Sequence, residues 1–136
     1  MANVIYNSFK KSIGDGTIDW DTDTIKVALV TSTYTPDIDT HTDFSTHITN
    51  EVVGTGYTAG GATLTGNAVT VDTVNDWAEY DANDVTWTTS TITARGAVVY
   101  KSTGELISYV DFGSDKISSA GDFKITWSAD GVFKLA

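Results

Sequence analysis

The stretch Gly54–Thr70, GTGYTAGGATLTGNAVT, decides the fold class of this chain. Gly54, Gly56 and Ala59 satisfy a loose G-x-G-x-x-G/A, the spacing of a loop that cradles a dinucleotide pyrophosphate. That chemistry needs a strand before the glycines and a helix after them, because the helix N-terminus holds the phosphate. Here the glycines run into ATLTGNAVTVDT, which alternates and is broken by Gly66-Asn67, the grammar of a strand and a turn. The acidic residue expected about 20 positions on falls at Glu79 or Asp81, inside another strand-like run, and no phosphate-loop lysine follows. The stretch therefore reads as a turn in which Gly60 and Gly61 take positive φ and Tyr57 lays its ring over the bare backbone.

Working outward, the same period of two recurs on both sides. Downstream, strands are predicted over 62–64, 68–71, 77–81, 84–88, 96–101, 106–112, 122–127 and 132–135. Turn residues separate them, among them Gly113-Ser114-Asp115 and a hairpin signal at Asp130-Gly131. Upstream, Ile25, Val27, Leu29 and Thr31 mark a strand, and Pro36-Asp37 break the pattern. A short strand is expected at 51–53, and 37–50 reads as polar loop with one helical turn near Phe44–Ile48. One helix is predicted at the N-terminus, capped by Asn3 and stopped by Gly14, with Ile5, Phe9 and Ile13 on one face. The expectation is a single mainly β domain over 1–136: an antiparallel β-sandwich or barrel-like fold with one short N-terminal helix. Trp87, Val98, Tyr100, Ile107, Tyr109, Phe112, Ile125, Trp127 and Phe133 are its predicted core.

Composition narrows the function. The net charge is −10 with only eight lysines and arginines, which disfavours nucleic-acid binding through clustered cations. The absence of cysteine excludes disulfides and thiolate chemistry. No apolar run is long enough for a membrane span, and the N-terminal residues lack a secretory pattern, so synthesis and folding in the cytoplasm are expected.

Candidate chemistry is sparse. Asp37, Asp39, His41 and Asp43 alternate, with His47 nearby, a spacing from which a carboxylate–imidazole metal site can be drawn, although a solvated polar loop is the preferred reading. Asp19, Asp21 and Asp23 open like a calcium loop, but Thr24 and Val30 stand where glycine and glutamate are needed; alternating carboxylates on an exposed strand are the simpler reading. No nucleophile elbow exists. Catalytic, cofactor and metal residues are therefore expected to be none, and the protein is not expected to be an enzyme. As a separate class, a sugar-binding module is conceivable, with Trp20, Trp77 and Tyr80 as its stacking platform.

Five segments, MANVIYNSF, IDWDTDTIKVALVTSTYTPD, NEVVGTGYTAGGATL, DANDVTWTTSTITARGAVVY and YVDFGSDK, together resemble a group of small virion proteins of tailed bacteriophages, in the same order and over nearly the whole chain. The resemblance implies a structural component of the particle without catalytic or cofactor residues. Size and acidity favour a capsid decoration, or cement, protein on the outer surface of the head; a tail or head–tail connector protein is the alternative. The implied partners are the major capsid protein and further copies of the chain, with a threefold assembly suited to an icosahedral shell. Tyr6, Phe9, Trp20 and Trp77 are the candidate partner-binding rings. The N-terminal arm is the preferred contact, and deletion of Met1–Ile13 is expected to abolish attachment while leaving the domain folded.

Overall fold

The computed structural model describes residues 3–136. Its elements in order are β1 (Val4–Ile5), α1 (Asn7–Asp15), β2 (Ile25–Val30), α2 (Phe44–His47), β3 (Ala62–Thr63), β4 (Ala68–Asp72), β5 (Trp77–Asp81), β6 (Val85–Lys101), β7 (Leu106–Ile125) and β8 (Phe133–Leu135). All strand pairs are antiparallel and form two sheets, ordered β1-β7-β6-β2-β3 and β4-β5-β8. The mainly β, antiparallel expectation holds; the sheets stay open and no barrel closes.

Alternation in β2 explains the layering. Ile25, Val27 and Leu29 face a core shared with Phe9, Trp20, Tyr80, Trp87 and Phe123, which joins the large sheet to α1 and the small sheet. Ala28 and Val30 point the other way, into a second cluster with Tyr6, Tyr34, Val98 and Tyr109, covered by the loop that carries α2. The large sheet is thus buried on both faces, which explains why β2 is apolar at nearly every position.

Several boundaries differ from expectation for local reasons. The residues predicted to begin the helix form β1 instead, and α1 starts at Asn7. Asn3 does not cap it: its Oδ1 accepts the Asp111 backbone N–H at 2.8 Å. The helix runs through Gly14 and stops at Gly16, whose φ of 83° is the left-handed cap. Four predicted strands merge into two, because the gaps between them are bulges inside β6 and β7; Thr89 and Ala120 take φ of 49° and Gly113 takes 82° without ending the ladder. The 51–53 strand shrinks to a single bridge between Val30 and Glu51. After Asp130-Gly131 the chain changes sheets, so β8 pairs with β5 and makes no hairpin with β7. Asp19 and Asp23 shape a turn, not a strand, with Asp23 accepting from the Asp19 N–H at 2.8 Å. Of the predicted core, Phe112, Trp127 and Phe133 are only partly buried.

Candidate functional site

β1 covers only Ser108 and Tyr109 of β7, so β7 runs on from Phe112 as an outer strand of the large sheet. β8 is an outer strand of the small sheet. A groove of about 490 Å³ follows this seam, lined by Phe112, Ile117, Phe123, Trp127 and Val132, with Lys116, Asp122 and Lys124 among the polar groups. A second recess of about 320 Å³ extends it past Val4, Ile5 and Phe133, and the two share Asn3, Val110, Ser128, Gly131 and Val132. Phe123 and Ile125 are buried because alternation turns them inward, while Asp122 and Lys124 point to water.

A charged pair fixes the head of this groove. Arg95 Nε donates to Asp111 Oδ1 at 2.9 Å and its Nη2 to Oδ2 at 3.4 Å. The Asp111 side chain is 2% exposed, and the Arg95 guanidinium, with a further bond from the Gly113 N–H, holds its carboxyl well below the usual carboxylate range. Lys124 lies 3.8 Å from Asp84. The groove therefore mixes apolar walls with single charges of both signs, an arrangement that can hold a side chain or an extended segment.

The glycine stretch at 54–61 is a strap lying on the large sheet. A Cβ on Gly61 would stand 1.9 Å from the Val27 carbonyl oxygen, so only glycine allows this approach. The Tyr57 ring lies 5.9 Å from that of Trp87, and its hydroxyl donates to Glu51 Oε2 at 2.5 Å while accepting the Leu29 N–H at 3.0 Å. Glu51 also accepts the Gly60 N–H at 2.6 Å, and the Tyr100 hydroxyl donates to the Gly60 carbonyl at 2.6 Å. Burial pushes the Tyr57 hydroxyl far up, so it is protonated at every ordinary pH. The Gly60 N–H is thus taken by the chain's own carboxylate, and the Tyr57 and Gly61 N–H groups by the Gly54 and Thr58 carbonyls, so these donors form no phosphate cradle.

The Asp/His segment is likewise turned to structure. Asp37 accepts from the N–H groups of Asp39 and Thr40, and Asp43 caps α2 by accepting from Thr46. The rings of His41 and His47 stack 5.0 Å apart. His41 Nδ1 accepts the Asp37 N–H at 3.2 Å and meets the Tyr34 hydroxyl at 2.9 Å, and Tyr34 meets the buried Tyr6 hydroxyl at 2.6 Å. An Nδ1 that accepts a backbone N–H belongs to a neutral imidazole, and burial, then His47, keeps the His41 pKa below its ordinary value. Among the described residues no three His, Cys, Asp or Glu side chains converge on a point where a metal would sit.

The candidate partner-binding rings separate sharply. Tyr6 and Phe9 are fully buried and Trp20 is 2% exposed, with its Nε1 donating to the Asp81 carbonyl at 3.0 Å. These three rings are core and offer no surface to a partner. Only Trp77 reaches the surface; it is half-buried, with Lys134 Nζ 3.7 Å above its ring and its Nε1 donating to Glu79. With Trp20 and Tyr80 both buried, the sugar-stacking platform does not exist as a surface. The N-terminal arm is also not free: β1 pairs with β7, and Phe9 lies against Tyr80 and Phe133, so its deletion would open the core. Met1 and Ala2 of that arm lie outside the described residues. The sequence reading missed the groove because it placed Phe112 and Trp127 in the core; the glycine bulge at 113, taken as a turn, was the available signal that β7 continues as an edge.

No family model matches the chain, and it matches no curated protein and no solved structure. Among the described residues no helix is long and apolar enough to cross a membrane.

Proposed function

We propose that this chain is a structural protein of a tailed-phage virion, acting as a capsid decoration protein docked on the major capsid protein of the assembled head. One observation carries the reading: the ordered resemblance, whose segments fall on the framework of the domain. They hold β1, β2, the strap with β3, most of β6 and the start of β7, which together build the large sheet. The use the fold makes of its hydrogen-bonded carboxylates supports it too. Asp37, Asp43, Glu51 and Asp111 each spend their oxygens on the chain's own donors. A protein that works by contact stabilises a shell by binding only its assembled form, and many copies on a lattice multiply a modest affinity. The groove along the β7–β8 seam, with Trp127 and Phe112 on its walls, is the attachment surface this reading selects.

Quantitative mass spectrometry of purified particles tests it. Hundreds of copies per virion place the protein on the head; a copy number of about six or twelve instead marks a tail or neck component. Absence from purified particles would refute a virion role altogether.

A further inference from the structure

Sheet edges are where strand proteins recruit other strands, and natural edges are kept short, charged or kinked to prevent it. The edges of this chain are unequal. β1 and β3 are two residues each and β8 is three, with Lys134 at its centre. The free part of β7 carries Lys116 and Lys124 and is kinked at Gly113 and Ala120, both at positive φ. β4 is the least protected, its one charge being Asp72 at the end. It pairs with β5 through five consecutive residues without a shift, and contains no lysine, proline or bulge.

Its side chains are also unusual for a surface. Val69 and Val71 lie opposite Tyr80 and Ala78 on the core-directed face, yet they are 42% and 74% exposed, because the sheet overhangs the core there. Val74 in the following turn is 88% exposed. The three valines expose on the order of 300 Å², comparable with the largest apolar patch of an ordinary monomer, which is often functional.

We propose that two copies of this chain pair through their β4 edges, antiparallel and centred on Thr70, into one continuous six-stranded sheet. The sequence Ala68-Val69-Thr70-Val71-Asp72 is self-complementary in that register. Val69 of one copy meets Val71 of the other twice over, Thr70 meets Thr70, and Asp72 meets Ala68, so no like charges oppose each other across the new seam. All four valines then share one face and close over each other at the overhang. The contact is small: two such patches and a five-residue ladder stay below the roughly 1,200 Å² of a standard stable interface, so the dimer is weak and concentration-dependent. The net charge of −10 on each copy opposes it, and salt therefore strengthens it. This pairing does not depend on the decoration reading, although copies crowded on a shell would form it readily.

Sedimentation velocity on the full chain, from low micromolar to roughly millimolar, tests the pairing. The expected result is a weight-average mass rising from one chain to two, further at high salt, and at least tenfold weaker association in Val71→Lys. Because the chain has no cysteine, the register can be read directly. Under mild oxidation Thr70→Cys should form a disulfide dimer much faster than Thr86→Cys on the exposed face of β6. An equal mixture of Val69→Cys and Val71→Cys should give the mixed dimer ahead of either homodimer. A single-chain mass at every concentration, a larger oligomer indifferent to Val71→Lys, or equal cross-linking of Thr70→Cys and Thr86→Cys would each overturn it.

Discussion

Replacing Gly61 by alanine tests the strap most directly. The φ of Gly61 is 79°, and a left-handed conformation costs an alanine about 1–2 kcal/mol. The new Cβ would also lie 1.9 Å from the Val27 oxygen and 2.7 Å from Ala28 Cα, both backbone atoms of β2 that cannot rotate away. The strap must lift by about 1 Å or more, enough to break short hydrogen bonds. The bond from the Gly60 N–H to Glu51 is charge-assisted, and its loss costs about 1.5–3 kcal/mol. Together these give about 3–5 kcal/mol, which for a domain of this size lowers Tm by about 10–15 °C. Gly113 supplies the control. Its φ is 82°, nearly the same, but nothing lies within 4 Å of its would-be Cβ, so Gly113→Ala should lose only the conformational cost of about 1–2 kcal/mol. Urea titrations followed by tryptophan fluorescence would read both. Equal midpoints for the two variants would refute the argument from close approach.

Three further outcomes are expected. Tyr57→Phe removes the hydroxyl between Glu51 and the Leu29 N–H and should cost about 1–3 kcal/mol in urea denaturation, since the Leu29 donor is left in a half-buried site. Gly14→Ala, in the helix with open space around it, should stabilise by about 0.5–1 kcal/mol. His41 has a folded pKa below its ordinary value, so its contribution is complete above about pH 6.5 and is lost as pH falls towards the folded value; the protection factors of the amides over 34–48, corrected for the intrinsic rate at each pH, should fall between about pH 7 and 5, and His41→Asn, which keeps an acceptor for the Asp37 N–H, should flatten that dependence.

Much of this architecture was legible because the signals are short-range. β5 lies where the alternation placed it, at Trp77–Asp81, and β2 ends within a residue of its prediction. The single turn around Phe44 appears as α2. What escaped was long-range. The ladder between β6 and β7 survives three residues at positive φ because each strand holds the other through the bulge, information held in neither strand alone. The rings Tyr6, Phe9 and Trp20 sit in irregular segments, so their burial depends on β7, β8 and the Asp81 carbonyl, far away in the chain. The seam groove is legible only once the sheet orders are known, since β8 gives no local sign that it joins β5.

The long β6–β7 hairpin also dictates the order in which the molecule can be completed. β1 rests on β7, β2 rests on β6, and the strap lies across β2 and β6. β1, β2 and the strap thus dock on strands that are made after them. These segments emerge without the surface they need, and their apolar residues stay uncovered until the hairpin has followed them. The hairpin is then the template on which the earlier strands are laid.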